Sequence, residues 1–247
     1  MKRFAWVLLA LGTHSAVLFG ADTTIAVAAN FSEPMQKIAA AFGRATGHRA
    51  LLAVGSTGKL SAQIRNGAPF DALLAADEFT ARQLIADGFA DPASLFSYAT
   101  GRLVLWSAQP GLIDARGAIL KRGNFPRLAL ADPRLAPYGA AAMDVLGNLK
   151  LADRLRSRLV LGVSVGQAYL FVASGNAPLG FVALSQVQLD GRLLSGSAWV
   201  VPQSLHRPIR QDFVLLAHGM DNVAARSLAV YLRGDEAHRI IRSHGYD

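Results

Sequence analysis

The chain has 247 residues, 52% of them hydrophobic, enough to bury the core of one large domain or two small ones. It has zero cysteines, which excludes disulfide staples, thiolate catalysis and zinc–thiolate sites. The formal charge of +8 favours anionic ligands and acidic surfaces, yet the basic residues are scattered and not interleaved with aromatics, so no nucleic-acid partner is expected.

The first residues read as a secretory signal. Met1-Lys2-Arg3 is basic, Phe4 to Leu11 and Ala16 to Phe19 are apolar, and the small residues Gly20-Ala21 follow. Gly12-Thr13-His14-Ser15 interrupts the run and leaves it too short for a permanent membrane helix. A signal peptide over residues 1–20, cut near Gly20 or Ala21, is expected, followed by an exported, soluble chain. The charge of that chain would be +6, which is 8 − 2 once Lys2 and Arg3 have gone.

Thr23 to Ala28 is a short apolar strand. Ala29-Asn30-Phe31-Ser32 turns it into a helix with Ser32 as N-cap, Met35, Ile38, Ala39 and Phe42 on one face, and Gly47 at its end. The order then repeats: Ala50 to Val54 is a strand, Gly55-Ser56-Thr57-Gly58 a small polar turn, and Leu60 and Ile64 mark a helix closed by Asn66-Gly67. Such a turn gathers unpaired backbone N–H groups and hydroxyls at a helix N-terminus, where partial positive charge suits a small anion. The plainer reading is that Ser56 or Thr57 caps the helix.

Pro69 to Ala75 is a third strand, followed by Ala76-Asp77 and a helix through Ala86. Asp91 to Thr100 reads as loop, Gly101 to Trp106 as the strand that crosses into a second lobe, and Gly111 to Gly123 as helix. Leu128 to Ala131 is a strand, and Pro137 opens a helix from Tyr138 to Leu149. Leu159 to Val163 is a strand, Ser164-Val165-Gly166 a turn, and Gln167 to Ala173 a helix. Strands at Leu179–Ala183 and Ala198–Val201 come next, and Arg210 to Ala217 returns the chain to the first lobe. Helices from Asp221 to Arg233 and from Glu236 to Ser243 complete it. Alternating strands and helices define an α/β fold of two lobes, each a mixed, mainly parallel sheet flanked by helices, with a ligand cleft between them. Lobe 1 is expected over 21–102 and 207–247, lobe 2 over 103–206.

Four strand-to-helix turns carry candidate donors: Asn30, Ser56-Thr57, Tyr138 and Val165-Gly166. None of these residues is charged, which excludes acid–base catalysis and a cation site there but leaves anion binding through neutral donors. A protonated oxyanion needs an acceptor, whereas a fully ionised tetrahedral dianion needs donors only. That chemistry leaves sulfate, molybdate and tungstate open. His48, His206, His218, His238 and His244 lack metal-ligand spacing and read as surface residues. Asp71, Asp77 and Asp132 read as caps and turn braces. A secreted serine hydrolase using Ser56 with Asp71 or Asp132 is a weaker alternative, since Gly55-Ser56-Thr57-Gly58 is not a nucleophile elbow.

These residues resemble the periplasmic molybdate-binding proteins of ABC importers, within the type II periplasmic binding proteins. The resemblance lies in Ala28-Ala29-Asn30-Phe31, Gly55-Ser56-Thr57-Gly58 with Ala62-Gln63-Ile64, and Gly67-Ala68-Pro69-Phe70-Asp71-Ala72. It continues through Ala131-Asp132-Pro133, Pro137-Tyr138-Gly139 and Ala177-Pro178-Leu179-Gly180-Phe181-Val182. It implies a monomeric receptor, with no cofactor and no catalysis, that captures molybdate or tungstate and delivers it to a membrane permease. It also implies an oxyanion held by Asn30, by Ser56 or Thr57, by Tyr138 and by the Val165 N–H. Some members place a tyrosine where this chain has Ala183, and Tyr138 would supply the phenol instead. A receptor for sulfate, and a tethered or signalling protein with a degenerate cleft, remain alternatives.

Overall fold

The computed structural model describes residues 20–247, so the expected signal segment lies outside the described residues apart from Gly20. The chain opens with β1 (Asp22–Ala28), a 3-10 turn at Ala29–Phe31, α1 (Ser32–Thr46), β2 (Arg49–Gly55) and α2 (Thr57–Arg65). β3 (Ala72–Leu74), α3 (Glu78–Ala86) and β4 (Phe96–Gly101) follow. Arg102 links β4 to β5 (Leu103–Ser107), and α4 (Ala118–Arg122), β6 (Leu128–Ala131), α5 (Pro137–Asn148) and α6 (Ala152–Leu155) come after it. Next are β7 (Leu159–Gly162), α7 (Val165–Ala173), β8 (Leu179–Ala183), a hairpin of β9 (Gln188–Leu189) and β10 (Arg192–Leu193), and β11 (Ser197–Val200). β12 (Ile209–Leu215), α8 (Val223–Tyr231) and α9 (Asp235–Ser243) end the fold. Among the described residues no helix is long and apolar enough to cross a membrane.

Two five-stranded sheets result, ordered β2-β1-β3-β12-β4 and β11-β5-β8-β6-β7. β1, β2 and β3 run parallel, and the late strand β12 inserts antiparallel between β3 and β4. In the second sheet β6 pairs parallel with β7 and β8, while β5 runs antiparallel to both of its neighbours, β8 and β11. Strand alternation packs both faces. Ile25 and Val27 enter one apolar cluster and Ala26 the other, while Leu103 and Leu105 face away from Val104 and Trp106. Each fully buried leucine or isoleucine contributes roughly 1.5–3 kcal/mol, so these runs hold the two sheets rigid beneath the loops.

Several sequence expectations need correction. Ser32 is not a capping residue: the 3-10 turn runs straight into α1 and no side chain caps it. The passage read as loop contains β4, and the predicted strand from Gly101 splits at Arg102 between the two sheets. β4 lacks clean alternation because it carries a β-bulge: Gln211 faces Ala99 and Asp212 faces Ser97, which leaves Tyr98 as the extra residue. The helix predicted over 111–123 shrinks to α4, because the Asp114 carboxylate accepts from the N–H groups of Arg116 and Ala118 and fixes a turn first. The β9–β10 hairpin escaped notice, although Asp190-Gly191, with φ of 49° and 76°, is a strong hairpin-turn signal. The histidines are not all on the surface. His48, His206 and His244 are buried, and His244 at 1% exposure is held between Lys37 Nζ and the Ile240 carbonyl.

Candidate anion-binding site

The carboxyl ends of β1, β2, β6 and β7 lead into turns that meet between the sheets. In the first turn the Phe31 ring packs against Tyr98 and Tyr246, with centroids 4.7 and 5.4 Å away, and this anchors the backbone around Asn30. Asn30 is buried. Its Nδ2 donates to Gln211 Oε1 at 2.8 Å and to the Tyr246 hydroxyl at 3.0 Å. Its carbonyl accepts from Ser185 Oγ and from the Tyr246 hydroxyl, each at 2.8 Å.

The second turn separates two adjacent hydroxyls. Thr57 Oγ1 accepts from the Ala76 N–H at 3.0 Å, so it braces α2 against the turn after β3. Ser56 occupies the N-cap of α2 but makes no capping bond, and its Oγ is the one buried side-chain polar atom without a partner among the described residues. The plain capping reading therefore does not describe Ser56. Its hydroxyl sits at the positive end of α2, beside N–H groups that have no partner within the helix.

The second sheet contributes Tyr138 and Val165. Pro137 starts α5, and the Tyr138 side chain is 2% exposed with its oxygen accepting from Gln211 Nε2 at 3.3 Å. Burial, followed by the neighbouring Tyr246 and Tyr98, pushes the Tyr138 phenol well above its ordinary pKa, so it stays protonated as a donor. Val165 is the first residue of α7, whose N-cap Ser164 accepts from the Gln167 N–H at 3.2 Å. Its carbonyl accepts from Gln186 Nε2 at 3.4 Å.

These turns share one environment. Ala28, Ala29 and Ala76 from one side pack in a single apolar cluster with Ala131, Ala136, Tyr138, Val165 and Ala183 from the other. The Gly58 N–H donates across the divide to the Leu135 carbonyl at 3.0 Å. Asp77 and Asp132, the carboxylates just beyond two of the turns, have other partners: Asp77 caps α3 through Thr80, and Asp132 pairs with Arg134. Asp71 lies at the opposite end of β3, bound by Thr23, Thr24, His218 and Asn222. It is level with Thr24, four residues down β1 from the end that faces Ser56, hence about 13 Å away along the strand, with the width of β1 between them as well. It cannot serve Ser56 as part of a triad. A cavity of about 450 Å3 opens beside Asn30, lined among others by Glu33, Val54, Ser164, Gln167 and Ser185, whereas Ser56, Thr57, Tyr138 and Val165 do not line it.

The sequence reading missed four polar residues of this centre: Tyr98, Ser185, Gln211 and Tyr246. Ser185 lies just past the strand end at Ala183 where a tyrosine was sought. Gln211 offered one signal, as an amide in the middle of an otherwise buried apolar strand. Tyr98 and Tyr246 gave none beyond their aromatic character.

Two mixed sheets flanked by helices, joined by crossovers and facing each other across a cleft, define a two-lobed type II periplasmic binding fold. The chain belongs to the bacterial extracellular solute-binding protein family, whose pattern matches residues 23–247. It is 50% identical over 240 residues to the molybdate-binding protein ModA of Azotobacter vinelandii, covering 97% of this chain and 95% of that one. It is 44% identical over 254 residues to ModA of Rhodobacter capsulatus, covering 100% and 99%. The solved periplasmic molybdate-binding protein of Azotobacter vinelandii superposes with a TM-score of 0.88 at 39% identity, covering 91% of this chain and 98% of its own.

Proposed function

We propose that this chain is a periplasmic receptor that captures molybdate, and tungstate with it, and delivers the ion to a membrane ABC permease. It works as a monomer, without cofactor and without chemistry on its ligand. Residues 1–20 act as an export signal, and the lobes that close on the ion are 21–102 with 207–247, and 103–206. The close relatives named for molybdate binding support the ligand class. The observation that carries the site is Ser56 Oγ, a buried hydroxyl with no partner at the N-terminus of α2. A buried polar group left unpaired costs about 1–3 kcal/mol, and a bound oxyanion would remove that cost.

On this reading Ser56 Oγ, the backbone N–H groups of Asn30, Thr57 and Val165, and the Tyr138 hydroxyl surround the ion; the Asn30 side chain spends both of its N–H donors on Gln211 and Tyr246. Thr57 contributes through its backbone because its hydroxyl already braces Ala76. The donors are neutral, so a fully ionised dianion is favoured over hydrogen phosphate, which needs an acceptor for its proton. Donors fixed by two rigid sheets reach molybdate and tungstate together but do not all reach the smaller sulfate. Isothermal titration with molybdate, tungstate, sulfate and phosphate tests this. Stoichiometric binding of molybdate with sulfate silent is expected. Equal binding of sulfate would overturn the specificity, and no binding of any anion would overturn the site.

A further inference from the structure

We infer that Gln211 is a positioning residue that fixes the Tyr138 hydroxyl as a donor toward the bound anion. This rests on the reading of Tyr138 as a ligand residue. The polarity begins at a group that cannot be reversed, the Asn30 backbone carbonyl. That carbonyl accepts from both Ser185 Oγ and the Tyr246 hydroxyl, 2.8 Å from each. Tyr246 has a single proton, and because a carbonyl cannot donate, that proton is directed at the Asn30 carbonyl, so the Tyr246 oxygen faces Asn30 Nδ2 as an acceptor. Asn30 must therefore present its NH2 group on this side.

The second N–H of that group points at Gln211, which has to answer with its oxygen, and Tyr98 donates to the same Oε1 at 2.9 Å. The Gln211 NH2 then faces the Tyr138 oxygen at 3.3 Å. A phenol oxygen that accepts on its inner side keeps its proton for an acceptor elsewhere. Turning Gln211 over would require Asn30 to turn over with it. Gln211 Oε1 would then draw the Tyr138 proton inward, and the site would lose its phenol donor.

The fold gives Gln211 little freedom. It is 0% exposed, lies in β12 beside the crossing between the sheets, and sits at the β-bulge that brings Tyr98 to it. Polarity thus passes from a backbone carbonyl in one turn to a donor in the other lobe, through Tyr246, Asn30 and Gln211.

The test is Gln211→Glu, with molybdate affinity measured by titration calorimetry from pH 5 to 8 against wild type at each pH. At pH 8 the carboxylate offers only acceptors and takes the Tyr138 proton, so affinity should fall roughly 10- to 100-fold. As the pH drops and the buried carboxyl protonates, it can donate again, and the ratio should narrow toward one. Direct repulsion between carboxylate and anion would give the same trend, so the comparison is repeated in Tyr138→Phe. There the Gln211→Glu factor should shrink to a few-fold. An equal factor in both backgrounds, or a loss independent of pH, overturns the inference. If the glutamate variant does not fold, Gln211→Met carries the same two-background comparison, with a loss expected only where Tyr138 is present. Failure of wild type to bind molybdate overturns the site reading itself, a result distinct from either.

Discussion

Two neighbouring buried hydroxyls, Ser56 and Thr57, are set apart by their partners. Thr57 Oγ1 is the acceptor for a buried N–H, so Thr57→Val should destabilise the fold by about 1–3 kcal/mol, read by chemical denaturation without ligand. Ser56 Oγ has no partner to lose. Ser56→Ala should leave the unliganded stability unchanged or slightly raised, yet weaken molybdate binding about tenfold or more by calorimetry. A Ser56→Ala protein that binds as wild type does would remove Ser56 from the site. Sequence alone offers this pair as the candidate donor without choosing one member. What separates them is a contact with Ala76, brought in by a strand that pairs on the other side of β1.

Regular patterning decides how legible each element is. β1, β3, β6 and β8 are short apolar runs bounded by turn residues, and their positions could be read directly. β4 could not, because its bulge breaks the period of two at the residue that joins the polar centre. The candidate turns were legible for the same reason as the strands, since small and polar residues interrupt apolar runs. The supporting network was not, because Gln211 and Tyr246 come from segments far along the chain. At the end of β4, Gly101 lets Tyr138 and Gln211 meet. A Cβ there would lie 2.1 Å from the Tyr138 oxygen and 2.5 Å from Gln211 Nε2. Gly101→Ala should therefore cost about 1–3 kcal/mol of stability and weaken anion binding, as thermal melts with and without molybdate would show.

At the scale of the molecule, three tyrosines bury their hydroxyls between the sheets. Burial is the main cause that raises each of them, Tyr246 to about 12 and Tyr98 and Tyr138 well above the ordinary value. A phenol ionises near pH 10 in the unfolded chain, so the unfolded state gains from deprotonation before the native state does. Stability should be unaffected by these groups up to about pH 9.5 and then fall by about 1.4 kcal/mol per pH unit for each tyrosine. Denaturation midpoints at pH 9, 10 and 11 check this, and Tyr246→Phe should remove its share of the slope. The insertion of β12 between β3 and β4 has a consequence for how the molecule is made. The second sheet is drawn from one continuous stretch, β5 to β11, whereas the first stays split into two unpaired pieces until β12 arrives. The second sheet can assemble while the chain is still emerging, but the first must wait, holding an exposed strand edge at β3 through that interval.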